Sequence, residues 1–227
     1  MNSVYWEHRG QFHTEIDPKN LRQVSDALDE AARAIHEADA LLFCTGAGMG
    51  VDMGLQDFRS SKVFWEELAH PDIKCYEDSS DNKWFDIDPE FAWGLNFHQL
   101  KAYREAAVHE GYEILLELAK SKKGDYFCWT SNIDGVFQRA GFDPERVREN
   151  HGLVIPSARV EAEDIAEQAK KGTLIRINPT DFMVPKKGEG PACSIGLPMG
   201  SVAALKQISK RIKLIRKSQT KSGPRHK

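Results

Sequence analysis

Residues 44–60 read CTGAGMGVDMGLQDFRS, and this stretch decides how the chain is expected to fold. The apolar run at residues 40–44 leads into it and is typical of a buried strand. The glycines let the backbone turn sharply and approach a ligand closely, because a Cβ would block that approach. A strand that passes through a Gly-rich turn into a helix is how α/β proteins bind phosphate groups. The stretch therefore predicts a phosphate-binding turn, although its glycine spacing is not the G-x-G-x-x-G dinucleotide fingerprint.

Strand and helix patterns alternate along most of the chain, which predicts an α/β fold with a Rossmann-like parallel sheet. Asp17 and Pro18 predict the start of the first helix, as its N-cap and its first helical residue. Further strands are expected at residues 126–130, around Val147, and at 174–177 and 194–197; further helices are expected at residues 89–103, 110–120 and 200–217.

The expected organisation is an arm at residues 1–16, one ligand-binding domain at 17–217 and a basic, disordered tail at 218–227. Aromatic residues are concentrated between residues 60 and 110, which predicts a small helical insertion there. The basic residues from Lys210 onward are expected to be solvated. A nuclear signal or a contact with an acidic partner is the alternative.

Composition excludes several classes of protein. The net charge of −3 provides no global field for nucleic acid, so no nucleic-acid partner is expected. No apolar run is long enough to span a bilayer, and no signal peptide is seen. Cys44, Cys75, Cys128 and Cys193 form no C-x-x-C pair, so neither a metal site nor a disulfide framework is expected. Cys44 and Cys128 are predicted to be buried thiols. We expect a cytoplasmic protein, with the nucleus as the alternative.

Polar residues follow two of the predicted strands. SNIDG at residues 131–135 follows one of them, and His151 and Gly152 follow another. Ligands of open α/β sheets bind at the carboxyl ends of strands, so these segments are well placed for a site. Each also has an ordinary explanation. Asn132 and Asp134 are residue types common in turns, and His151 could have no role beyond stabilising a turn.

Taken together, these segments resemble the sirtuins, the NAD-dependent protein deacylases. The matching residues are the Gly turn with LQDFRS at 55–60, TSNIDG and QRAG within 130–141, His151-Gly152, and LIRINP at 174–179. The resemblance runs from about residue 38 to residue 205. It implies an α/β, Rossmann-like fold and NAD as the cofactor.

The resemblance also implies the site. The implied cofactor-binding residues are Gly46, Ala47, Gly48, Asp57, Phe58, Arg59, Ser131, Asn132, Ile133, Asp134, Gln138 and Asn178. The Gly turn would hold the pyrophosphate, and Phe58 would lie near the reacting ribose carbon. Asn132 would hold the nicotinamide ribose and Asp134 the carboxamide. Gln138 would lie close to the ribose, and Asn178 by the adenosine end.

The implied catalytic residues are His151, Asn132 and Asp134. His151 would be the general base, since a neutral imidazole can accept a proton near neutral pH. The implied reaction moves an acyl group from a lysine of a protein substrate to ADP-ribose and releases nicotinamide.

The sequence departs from the sirtuin pattern in several places. Ser131 stands where the family usually has Gln, Gly50 where it has Ser, and Gln56 where it has Pro. The larger departure follows Gly152, where the zinc-binding cysteines, the peptide-binding strand and one sheet strand are absent. A mono-ADP-ribosyl transferase, an NAD hydrolase and a catalytically impaired NAD-binding protein are therefore alternatives to a deacylase.

Overall fold

A computed structural model describes residues 12–13, 17–55, 70–150, 172–180, 182–185 and 193–221. The helices are α1 Leu21–Glu37, α2 Tyr76–Ser79, α3 Trp84–Ile87, α4 Pro89–Glu105, α5 Glu110–Lys120, α6 Val136–Arg139 and α7 Ser201–Lys221. The strands are β1 Phe12–His13, β2 Leu41–Thr45, β3 Tyr126–Thr130, β4 Val147–Glu149, β5 Thr173–Ile177, β6 Val184–Pro185 and β7 Cys193–Leu197. This alternation confirms the predicted α/β class.

The strands form parallel sheets, with one short antiparallel pair. One sheet has the order β2-β3-β4, and β5 pairs with β7 in another. The β3–β4 and β5–β7 pairs are parallel, whereas β1 and β6 are antiparallel. Strands β2 and β3 also run in the same direction, because Leu41 bonds to Asp125 at one end and Ser131 bonds to Thr45 at the other.

The chain divides into two compact units, which are described separately. The first contains Met1–Leu42, Glu110–Phe127 and Leu153–Lys227. Its core lies among α1, α5, α7 and the β5–β7 pair, and it includes Ala31, Leu197 and Ile208, all fully buried. Gly196 is required in β7, because a Cβ there would collide with the carbonyl oxygen of Phe182. The apolar stripes of three helices thus cover one small parallel sheet.

Helix α1 begins later than the sequence predicts. Asn20 is its N-cap, and the Asn20 side chain accepts hydrogen bonds from the N–H groups of Arg22 and Gln23. Asp17 instead accepts the N–H of Lys19 at 2.9 Å and begins a turn. The prediction that Asp17 is the N-cap was therefore wrong, because the Asp17 side chain accepts its hydrogen bond within an Asx turn instead.

Helix α7 extends through Lys221 and so includes the first four residues of the expected tail. Ser218 Oγ donates to the carbonyl of Ile215, and Thr220 Oγ1 donates to that of Lys217. No helix breaker occurs before Gly223 and Pro224. Among the described residues, no helix has the length and apolar character needed to cross a membrane.

The second unit contains Phe43–His109 and Cys128–Gly152. Its described helical part, α2 to α4, falls within the predicted insertion, and Asp88 caps α4 by accepting the N–H of Phe91 at 2.9 Å. Trp84 is buried, and its indole Nε1 donates to the Asp78 carbonyl at 2.6 Å. By contrast, Trp93 and Phe97 are 57% and 65% exposed, so part of the aromatic cluster lies at the surface.

Strand β2 alternates between more and less exposed residues along its length. Leu42 and Cys44 are exposed, whereas Leu41, Phe43 and Thr45 are partly covered. The prediction that Cys44 is buried was therefore wrong. Cys128 on β3 is fully buried, as predicted. The two thiols lie on opposite faces of the sheet, because Cys128 shares the face of the bonded Thr45 and Thr130 side chains and Cys44 does not. The face that carries Cys44 is the more open one, and Phe127 of β3 is also 39% exposed.

Candidate functional site

The Gly-rich turn leaves β2 and forms two short 3₁₀ turns at Ala47–Met49 and Val51–Met53. The expected α-helix is not seen within residues 46–55. In the described part of the chain, the N–H groups of Ala47 and Gly48 have no hydrogen-bond acceptor. A Cβ built on Gly48 would meet nothing within 4 Å. The turn therefore presents open backbone donors, which suit an anion such as a phosphate.

Two threonines join the ends of β2 and β3 beside this turn. Thr45 Oγ1 donates to Thr130 Oγ1 at 2.8 Å. Thr130 Oγ1 also accepts the N–H of Asn132 at 3.1 Å, and Asn132 Nδ2 donates to the Gly46 carbonyl at 3.0 Å. Thr130 is 1% exposed, so these bonds are shielded from water. The network fixes Asn132 against the glycine turn.

Ser131 packs beside Gly46 in the same corner. Its N–H donates to the Thr45 carbonyl at 3.0 Å, and a Cβ on Gly46 would lie 3.3 Å from Ser131 Oγ. Gly46 thus leaves the space that the Ser131 hydroxyl occupies. Ile133, which comes next but one in the chain, is 53% exposed.

Asp134 and Gln138 lie at helix α6. Asp134 Oδ1 accepts the N–H of Val136 at 3.0 Å. Burial raises the pKa of the Asp134 carboxyl, and the Val136 hydrogen bond and the nearby Arg139 offset part of this rise. Gln138 Oε1 is buried and has no hydrogen-bond partner among the described residues. An unsatisfied buried acceptor is rare, so this atom needs a donor from outside these residues.

The remaining predicted site residues belong to the first unit or fall outside the described residues. Asn178 follows β5 in the first unit, where its Oδ1 accepts the N–H of Thr180 at 2.9 Å. His151 and the segment 57–59, with Asp57, Phe58 and Arg59, lie outside the described residues. Asn150, directly before His151, donates its N–H to the Thr130 carbonyl at 2.7 Å.

Three residues near the turn were not predicted as part of the site. His109 Nε2 donates to the Met49 carbonyl at 2.8 Å and so holds the second half of the turn. Thr45 and Thr130 form the hydroxyl pair described above. A threonine ends both strands, LLFCT and YFCWT, and that repeated feature was the available signal.

Cys128 is close to the site in sequence but is not a nucleophile. Burial, with a smaller effect of the neighbouring Cys44, raises the pKa of Cys128 to about 12. The thiol therefore stays protonated at neutral pH, and the thiolate is the reactive form. Among the described residues, no group of His, Cys, Asp and Glu could hold a metal ion.

Comparison with known proteins identifies the family. A model of the Sir2 family matches residues 46–186, which is more than half of the chain. The chain belongs to the Sir2 family. The matched range includes the Gly turn, the network around Asn132 and the segments that carry the sirtuin resemblance, and the predicted family is confirmed.

Curated Sir2 relatives match part of the chain. An NAD-dependent protein deacylase of Thermus thermophilus is 29% identical over 140 residues, which cover 60% of this chain and 52% of the relative. An NAD-dependent protein deacetylase of Bacillus subtilis is 33% identical over 127 residues, which cover 55% and 48%. The chain spans about half the length of the curated relatives it matches.

Solved Sir2 structures share the fold. A Sir2 homologue in complex with NAD has a TM-score of 0.58 and 16% identity, and the match covers 84% of this chain and 94% of that one. A structure from work on the mechanism and regulation of Sir2 enzymes also has a TM-score of 0.58 at 16% identity, covering 85% and 100%. This likeness confirms the Rossmann-like fold predicted for the sequence.

The raised pKa of Asp134 predicts a pH-dependent effect of Asp134→Asn. The folded protein binds the Asp134 proton more tightly than the unfolded chain does. The free energy of unfolding therefore falls as the pH rises from about 3.9, the ordinary pKa of this carboxyl, through its raised pKa in the folded protein. The amide carries no charge and still accepts the Val136 N–H. We expect Asp134→Asn to raise the melting temperature by about 1–2 °C at pH 7. The gain should shrink as pH falls towards 4.

Differential scanning fluorimetry at several pH values measures this effect. Asp72→Asn, at an exposed carboxylate in the same unit, is the matched control for loss of one negative charge. A gain for Asp134→Asn that did not depend on pH would contradict the assignment.

Proposed function

We propose that this Sir2 family member binds NAD at the Gly-rich turn and acts as an NAD-dependent protein lysine deacylase. Asn132 carries the proposal, because its side chain joins the turn to the polar end of β3. Bound NAD would supply the ADP-ribosyl group that accepts the acyl group as nicotinamide leaves. The names of the curated relatives support this assignment.

The residues present fit this cofactor. The open N–H groups of Ala47 and Gly48 would donate to the pyrophosphate, and no side chain at Gly48 blocks that approach. The buried Oε1 of Gln138, which has no partner in the described part of the chain, would accept a hydrogen bond from a ribose hydroxyl. Neither the exposed N–H groups nor the buried oxygen has a partner within the described ranges, and one ligand with an anionic centre and hydroxyl donors would bond to both.

The remaining residues would orient the reaction. Asn132, held by Thr130, would position the nicotinamide ribose, and Asp134 would accept from the carboxamide N–H₂. A fixed geometry around the bond that breaks lowers the entropic cost of reaction. His151 would take the proton from the ribose hydroxyl, so that the acceptor oxygen becomes a nucleophile.

We expect the chain to bind NAD, and calorimetry tests this directly. NAD should give measurable heat at millimolar concentration and raise the melting temperature. Saturation at about 100 times Kd stabilises a protein by about 2.7 kcal/mol. ADP-ribose should compete, because it carries the pyrophosphate and both riboses. The absence of both heat and thermal shift with millimolar NAD would overturn the proposed function.

A second candidate is an NAD-binding protein without deacylase activity. The observation that favours it is the sequence after Gly152, which lacks the peptide-binding strand that the sirtuin resemblance implies. Nicotinamide release with and without an acyl-lysine peptide separates the candidates. Release that requires the peptide indicates a deacylase, and release without it an NAD hydrolase or an ADP-ribosyl transferase. Binding without release indicates the NAD-binding protein.

A further inference from the structure

Helix α7 is strongly basic along its length. Helix α7 contains seven Lys and Arg residues and no Asp or Glu. Four of its lysines follow one another at spacings of four, three and four residues, which places them on one face. We call this set the basic stripe; it consists of Lys206, Lys210, Lys213 and Lys217, all exposed. At 1.5 Å per residue the stripe is about 16 Å long.

Most of the stripe has no ion-pair partner in the part of the chain that the structure describes. Lys206 pairs with Glu110 at the N-terminal end of α7. Among the described residues, Lys210, Lys213 and Lys217 form no ion pair. The only other ion pair of α7 there joins Arg211 to Asp29 at 2.7 Å, away from the stripe. The positive potential is therefore greatest over the second half of the helix.

A neighbouring segment adds to this potential. Burial lowers the pKa of the Lys122 ammonium group, and so does the positive charge of Arg216 on α7, whereas the negative charge of Asp39 partly offsets both effects. Its ammonium group donates to the carbonyl oxygens of Ile35 and His36, which fix it beside the helix. Lys122 and Arg216 thus repel each other with partial compensation from Asp39, and a bound polyanion would reduce the repulsion further.

The apolar side chains of α7 favour nucleic acid over a membrane surface as the partner of the stripe. Leu205, Ile208 and Ile212 are 4%, 0% and 2% exposed and pack in the core, so they cannot enter a bilayer. Helices that bind a membrane surface insert their apolar face, and among the described residues only Leu214 is available near the stripe. A straight row of solvated lysines is instead complementary to a regular row of phosphates.

We propose that the basic stripe binds the phosphate backbone of nucleic acid without sequence preference. The overall net charge of −3 gives no sign of this basic surface, because the acidic residues of the chain lie outside α7. This activity goes beyond the proposed deacylase function and does not depend on it. Three to four phosphate contacts predict a slope of about −3 for log Kobs against log salt concentration.

Fluorescence anisotropy with a labelled DNA duplex of arbitrary sequence, about two helical turns long, tests the proposal. The triple variant K210E/K213E/K217E should bind at least ~10-fold more weakly at low salt and have a salt slope of about zero to −1. The control K19E/K83E/K101E makes the same change in net charge at exposed lysines outside α7. It should keep the affinity and the slope of the unmodified chain.

Three results would overturn the proposal. One is no binding of the unmodified chain to the duplex at low salt. Another is an equal loss of binding in both triple variants, which would indicate a response to net charge alone. The third is binding to vesicles that contain phosphatidylserine, or to polyglutamate, in the absence of binding to the duplex. Circular dichroism of both variants should confirm that α7 remains folded.

Discussion

Replacement of Asn132 by Asp is expected to remove most of the NAD affinity, although the two side chains have almost the same shape. Asn132 Nδ2 donates to the Gly46 carbonyl at 3.0 Å, whereas a carboxylate has only acceptors. The new charge would repel that carbonyl oxygen and displace the Gly turn, whose N–H groups are proposed to bind the pyrophosphate. The expected loss of roughly 5- to 150-fold in Kd corresponds to about 1–3 kcal/mol of binding free energy. Calorimetry with NAD measures the loss.

Asn96→Asp is a matched control for this change. Asn96 Nδ2 also donates to a backbone carbonyl, that of Ala92, at 2.8 Å within helix α4. This substitution removes the same kind of bond and adds the same charge, and it should leave the NAD affinity within about twofold. Equal losses in the two variants would show that Asn132 has no specific part in binding.

Replacement of His151 by Tyr is expected to lower turnover by about 100- to 10,000-fold, the usual contribution of a general base. NAD affinity should change little, because the proposed pyrophosphate contacts come from Ala47 and Gly48. The measurement is nicotinamide release with an acyl-lysine peptide, compared with calorimetric binding of NAD. His98→Tyr, at an exposed histidine of helix α4, is the control for the substitution itself.

Two outcomes would contradict the role of His151. If the rate per folded molecule is unchanged while the melting temperature falls, His151 contributes to stability and not to catalysis. If the unmodified chain binds NAD but gives no turnover, the NAD-binding candidate is favoured and His151 has no catalytic part in this chain.

The elements with the strongest local signals could be predicted from the sequence. Strand β3 and helix α5 have the predicted bounds, because a short apolar run between turn residues and a regular apolar stripe each specify one structure. The Gly turn after β2 and the polar end of β3 also follow from the sequence, whereas the short helix α6 was not predicted. Family membership was predictable for the same reason, since several spaced segments match together.

Features that depend on contacts between distant parts of the chain could not be predicted. Cys44 lies in an apolar run that is typical of a buried strand, but its exposure depends on which face of the sheet other elements cover. The Thr45–Thr130 bond requires the register of two strands that are far apart in sequence. Asp17 fits the pattern of a cap, and only the competing turn at Lys19 shows that Asn20 takes that role.

The end position of β2 in the described sheet also bears on how the protein behaves at high concentration. A strand at a sheet edge presents N–H and C=O groups that can template another chain. Natural edges discourage this with lysine, proline or a bulge, and LLFCT contains no charged residue and no proline. With Leu42 and Cys44 exposed on this strand, we expect self-association through added β-structure at high protein concentration.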